Sequence, residues 1–232
     1  MLHNLKQIRG HKLAASDGTI GHVKDFLFDD KTWAIRYLVA DTGSWLSGRQ
    51  VLLSPHAFGG LDHGGKVLSI NLTRKQIENS PSIDTDRPVS RQYEQNYYDY
   101  YGWPTYWAGD GVWGSADYPG YAPPAGRSYE FRSYDYPQWD DIHLRSTNKV
   151  TGYDIQATDG VLGSVSGFLV DQKKWVIREL AVETGHWYSG KEILITPAKI
   201  ERISFEESKV FVTLTKGNLE RTEEKHLATA GT

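Results

Sequence analysis

Residues 8–55 and 150–197 align without a gap at a constant offset of 142, and 21 of the 48 pairs are identical. They include Gly10/Gly152, Asp17/Asp159, Gly18/Gly160, Gly21/Gly163, Phe26/Phe168, Asp29/Asp171, Trp33/Trp175, Arg36/Arg178, Trp45/Trp187 and Pro55/Pro197. A repeat at this period decides the architecture before any single motif is weighed. It sets two modules of about 70 to 80 residues each, small but able to form a core. It also acts as a filter. A residue required by the module's shape should recur, whereas one serving a single site need not.

Within each copy the turn and strand signals fall in the same order. Asp17-Gly18 and Asp159-Gly160 read as hairpin turns with glycine at a positive-φ position. Trp33 to Thr42 and Trp175 to Thr184 are short, β-branched and aromatic, which favours strand over surface helix. Gly43 to Gly48 is a loop, Val51 to Leu53 a strand ending at Ser54-Pro55, and Val67 to Leu72 a further strand, each with its counterpart in the second copy. Thr73 and Thr215 each offer an N-cap followed four residues later by an apolar anchor, enough for one closing helical turn. The expected fold is all-β: two small barrels joined by an aromatic-rich irregular segment. The boundaries expected are 1–83 for the first barrel, 84–141 for the connecting segment, 142–221 for the second barrel and 222–232 for a tail. Ile35, Tyr37 and Val39 alternate with Ala34, Leu38 and Ala40, and since both sets are largely apolar the pattern does not choose an inward face.

The succession Asp-Gly-x-x-Gly-x-Val, Phe-Leu-x-Asp, Trp-x-Ile-Arg-x-Leu, Thr-Gly-x-Trp-x-Ser-Gly and a strand ending in proline, present twice, resembles the PRC-barrel family. That family takes its name from the cytoplasmic domain of the photosynthetic reaction-centre H subunit and from the C-terminal domain of the RimM-type ribosome maturation factor. The likeness extends over residues 5–80 and 145–220. It is strongest to stand-alone tandem PRC-barrel proteins of bacteria. Unlike the H subunit, this sequence shows no membrane helix; unlike the maturation factor, it carries a second PRC-like module in place of a different N-terminal barrel.

Charge and composition narrow the function. The net charge is −3, without the basic footprint of a nonspecific nucleic-acid binder. Cysteine is absent, which removes disulfides and thiolate chemistry. Met1 to Gly10 lacks the apolar core of a secretory signal and no run reaches membrane-spanning length, so a cytoplasmic location is the expectation.

None of the eight histidines recurs at its repeat partner: His22 aligns with Ser164, His56 with Ala198 and His186 with Ser44. Metal-ligand spacings such as His-x3-His are missing as well, so the histidines read as isolated surface residues and no metal or cofactor is expected. Asp29-Asp30 reads as a turn, not a calcium loop. No Gly-x-Ser-x-Gly elbow or phosphate cradle is present, and no enzyme is expected. Asp17, Gly18, Asp159 and Gly160 are assigned to turns, and Arg36 and Arg178 to ion pairs with a carboxylate such as Asp29 or Asp171.

Eleven of the 14 tyrosines lie between Tyr93 and Tyr136, in a segment whose ten acids and four arginines leave a net charge of −6 over residues 84–141. Three readings compete for it: a brace docked across both barrels, a partner-binding surface, and a stacking platform, the last opposed by the charge. Candidate partner-binding residues are Trp45, Trp187, Tyr101, Trp103, Tyr106 and Trp107. The function expected is a non-catalytic adaptor or scaffold that binds a protein partner. The resemblance adds two alternatives: a peripheral subunit of a membrane electron-transfer complex, attached through another subunit, and an RNA- or ribosome-associated factor. Homo-oligomerisation stays open.

Overall fold

The computed structural model describes residues 1–46, 49–81, 89–120, 143–185 and 190–217. Trp187 lies outside them, as do most of the segment after Gly120 and the C-terminal tail. Fourteen strands are arranged in two seven-stranded sheets. They are β1 (Leu2–Asn4), β2 (Lys12–Ala15), β3 (Gly18–Asp29), β4 (Ile35–Asp41), β5 (Gln50–Leu53), β6 (Phe58–Asp62), β7 (Val67–Ile70), β8 (Leu144–Ser146), β9 (Asp154–Ala157), β10 (Gly160–Asp171), β11 (Val176–Thr184), β12 (Glu192–Ile195), β13 (Ile200–Ser204) and β14 (Lys209–Val212). Among the described residues four α-helical segments accompany them: α1 (Leu5–Ile8), α2 (Arg74–Glu78), α3 (Arg91–Tyr101) and α4 (Thr147–Val150).

The first sheet runs β5-β4-β3-β2-β7-β6 and the second β12-β11-β10-β9-β14-β13. Each curls strongly but stays open between its outer strands, so the barrels are not closed. The curl has a local cause. β3 shifts register between Val23 and Asp25 and again between Leu27 and Phe28; β10 shifts at Val165/Gly167 and Leu169/Val170. These are equivalent positions in the two copies, and a bulge bends its strand and increases its twist. The correspondence at offset 142 in fact runs from β1 through β7, well beyond the residues whose identity reveals it.

The modules exchange their first strands. β1 pairs with β10 of the second sheet, Leu2 opposite Asp171 and Asn4 opposite Leu169. Reciprocally, β8 pairs with β3 of the first sheet, Leu27 opposite Ser146 and Asp29 opposite Leu144. At the centre, Ala34 bridges Val176: Ile35 N–H donates to Trp175 O and Ile177 N–H to Trp33 O, both at 2.8 Å. An approximate two-fold axis therefore passes between β4 and β11.

Trp33 and Trp175 sit at that axis with φ of 60° and 51°. A bulky residue in this region is strained and persists only when its surroundings hold it there. Each amide donates back to an aspartate carbonyl, Asp29 O or Asp171 O, at 2.7 Å. The Trp175 ring crosses into the first module, 4.6 Å from Phe58 and 6.2 Å from Phe26. One hydrophobic core runs through both modules.

Two expectations change. The Arg91–Tyr101 stretch, expected to be irregular, is the regular helix α3: Ser90 Oγ accepts from Tyr93 N–H, Gly102 ends the helix at φ 68°, and Tyr93, Tyr97 and Tyr101 recur every four residues along one face. Packing of that face, more than intrinsic propensity, holds such a helix. The inward face of β4 could not be chosen because both faces are buried, one by the core and one by the aromatic segment.

Candidate functional site

Helix α3 lies on the first module. Tyr97, Tyr98 and Tyr101 are fully buried there with Tyr37. Tyr97 OH accepts from Ser54 N–H at 2.9 Å. Glu94, also inaccessible, accepts through Oε1 from Tyr37 OH at 2.8 Å and Tyr106 OH at 2.9 Å, while Oε2 pairs with Arg91 at 2.9 Å. A buried carboxylate persists only when its lone pairs are engaged in this way. The chain after α3 extends the cover. Trp103 stacks on Tyr101 at 4.4 Å, and His56 is packed against Trp103, Tyr98 and Trp113.

Arg36 joins this layer to the sheet. Its guanidinium donates to Val112 O at 2.6 Å and to Asp29 Oδ2 at 3.1 Å, and lies 3.7 Å from the centre of the Tyr106 ring. Trp113 Nε1 donates to Lys174 O at 2.8 Å, so the segment also reaches the second module beside Trp175. In the described residues the aromatic segment is a docked brace.

The electrostatics match a packed layer. Burial pushes the Tyr37 hydroxyl far above its ordinary pKa and the neighbouring Glu94 adds to this; burial does the same for Tyr97, Tyr98 and Tyr101. Burial lowers His56 despite its bond to Gly120 O at 2.9 Å. Burial alone would raise Asp29, but Arg36 and the amides of Lys31 and Thr32 outweigh it and hold the carboxyl below its usual value. Each direction favours the neutral form of the tyrosines and of His56 and the charged form of Asp29.

The sequence-predicted residues divide. Asp17 Oδ1 accepts from Arg74 N–H at 2.7 Å and Asp159 Oδ1 from Lys216 N–H at 3.1 Å, so the first Asp-Gly turn also anchors α2 and the second the chain after β14. Gly18 and Gly160 have φ of 148° and 130°. Arg36 pairs with Asp29, whereas Arg178 is exposed. Tyr101, Trp103 and Tyr106 are buried and, as placed, offer no ring face to a partner; Trp107 and Trp45 are half-buried, the latter beneath the Arg74 guanidinium at 4.8 Å. The histidines are not all isolated surface residues. His3, His11 and His56 are buried, and His3, His11 and His63 come together. Among the described residues no group of three or more His, Asp or Glu is arranged to hold a metal ion, and no helix is long and apolar enough to cross a membrane.

Sequence reasoning missed Tyr37, Ser54, His56, Glu94 and Trp113. A signal existed. Tyr37, Ser54 and His56 stand opposite Glu179, Thr196 and Ala198 in otherwise matched stretches, marking the face that is covered in the first copy.

The fold is a duplicated, strand-exchanged pair of small curled β-sheets. Residues 3–78, from β1 to the end of α2, match the family model of the PRC-barrel domain. An uncharacterized protein of Deinococcus radiodurans is 34% identical over 73 residues, covering 32% of this chain and 26% of that protein. The match thus takes in about a quarter of that relative's length.

Proposed function

We propose that the protein is a non-catalytic scaffold of two PRC-barrel modules that binds a protein partner through the open face of the second module. The observation behind this reading is the asymmetry of two matched surfaces. On the first module, Arg36 and Leu52 and the turn Pro55–Ala57 are buried, Arg36 and the turn residue His56 directly against the aromatic segment. On the second, Arg178 is exposed, Leu194 is 48% exposed and no residue of the turn Pro197–Lys199 is buried. The first face demonstrates what such a surface accommodates: a polypeptide helix with aromatic anchors, the residue types favoured at interfaces. The extension of the PRC-barrel assignment to residues 142–221 is supported by the recurrence of each motif and strand at the same offset.

The test is affinity capture from the native cell followed by direct binding of the captured protein to purified chain. Leu194→Arg should abolish binding while the melting temperature stays within about 2 °C of wild type, as an exposed substitution normally does. Full binding by Leu194→Arg would remove this reading.

A further inference from the structure

The two exchanged strands are secured by different chemistry. Just after β3, Asp30 Oδ2 takes Arg145 and Oδ1 lies 3.0 Å from His143 Nδ1, while on β3 Asp25 accepts from Ser146 Oγ, Thr147 Oγ1 and Asn148 N–H. At the equivalent places on the second module Asp30 is replaced by Gln172, Asp25 by Gly167 and Arg145 by His3. His3 Nε2 sits 2.7 Å from Gln172 Oε1, so β1 is joined to its sheet by a neutral contact where β8 has ion pairs.

The His3 ring also stacks on His63, from the turn between β6 and β7, with centroids 4.5 Å apart and planes at 29°. His11, just before β2, meets His63 edge-on at 6.2 Å. His3 is 8% exposed and His11 4%, while His63, on its turn, is exposed. Three imidazoles from separate parts of the first half of the chain thus converge where β1 leaves its own module for the other. The charged groups around them are Lys66 and Asp62 on the hairpin, with the Met1 amine and Asp171 at the far end of β1. Asp62 is engaged by Gly65 N–H at 3.0 Å. Burial lowers His11, the neighbouring His63 and Lys66 lower it further, and Asp62 opposes them.

We propose that His3, His11 and His63 form a proton-sensitive latch that holds β1 on the second module near neutral pH and releases it in mildly acidic solution, while β8 stays in place. A second proton on the stack sets like charges in ring contact, and a released strand removes that repulsion. The direction follows from linkage at His11, which burial and its neighbours hold below the ordinary value in the latched form: the released form binds that proton more readily, so the latch weakens as pH falls below about 6.5.

Hydrogen exchange read by mass spectrometry on the full chain from pH 7.5 to 5.5, corrected for the intrinsic pH dependence of exchange, tests this. Protection of peptides covering Leu2–Asn4 and Leu169–Asp171 should fall roughly tenfold or more relative to those covering Leu144–Ser146 and Leu27–Asp29. His63→Gln should remove most of that fall. If this variant loosens the whole chain at pH 7.5, His11→Gln read in the same way decides. A constant ratio between the two strands, or an equal fall in the variants, overturns the latch.

Discussion

Arg36 and Arg178 occupy the same position in two copies of one strand, yet Arg36 is 1% exposed beneath the Tyr106 ring while Arg178 is in solvent. Among the described residues, the aromatic segment packs on Arg36 through Tyr106 and Val112. Removing Arg36 leaves the largely buried Asp29 without its cation, and breaking a buried pair costs roughly 3 to 5 kcal/mol. Arg36→Ala should therefore lower unfolding free energy by that order in urea titration, and Arg178→Ala by less than about 0.5 kcal/mol. Because Asp29 is held below its unfolded pKa, its contribution is present above about pH 4 and lost as pH falls through the folded value; Arg36→Ala should flatten that acid limb.

Gly21 and Gly163 have φ of 131° and 157°, and a Cβ at either would overlap the carbonyl oxygen of Asp41 or Glu183 on the facing strand. Gly21→Ala and Gly163→Ala should each cost about 2 to 4 kcal/mol, comparably in the two copies. Chemical denaturation of the two variants measures this directly, and a strong inequality would mean that the repeat does not mark a shared backbone requirement.

The buried acceptor Glu94 supports a third expectation. Tyr37→Phe deletes one of the two tyrosyl donors to Oε1 without altering ring volume, and should cost about 1 to 3 kcal/mol in the same assay. Tyr153→Phe, on a half-buried ring of the second module, should be nearly neutral.

Alkali should unfold the protein steeply. Burial raises the folded pKa values of Tyr37, Tyr97, Tyr98 and Tyr101, so their stabilising effect is complete below the unfolded value of about 10 and is lost as pH rises above it. Spectrophotometric titration should show exposed tyrosines ionising near pH 10 and the buried set appearing only with loss of near-ultraviolet circular dichroism. Free titration of every tyrosine before unfolding would contradict the packed layer.

Much of the module was legible because its turns need particular residues. Asp17-Gly18 and Thr73, with Ile77 four residues on, predicted a hairpin and a cap; the structure has both and adds a reciprocal Thr73–Gln76 capping box. The strand exchange was not legible, since Leu2–Asn4 and Leu144–Ser146 carry three residues each and share only the leucine. β6 escaped notice because Gly59 and Gly60 dilute its pattern. Helix α3 was hidden by tyrosines, which bury as well as leucine does but score as polar, and by the Gly/Pro-rich sequence that follows it. The histidine trio joins residues 3, 11 and 63, a spacing that no local motif can express.

The reciprocal exchange of β1 and β8 is the central feature, and the absence of cysteine makes it directly testable. Leu2 and Asp171 are register partners on the antiparallel pair of β1 and β10, a geometry within the Cα separation a disulfide tolerates. In the double variant Leu2→Cys/Asp171→Cys, mild oxidation at pH 7.5 should give an intramolecular bond in nearly all molecules, seen by peptide mapping as Met1-containing and Asp171-region peptides joined within one chain. Failure of that bond to form, or its formation only between chains, would contradict the exchanged arrangement.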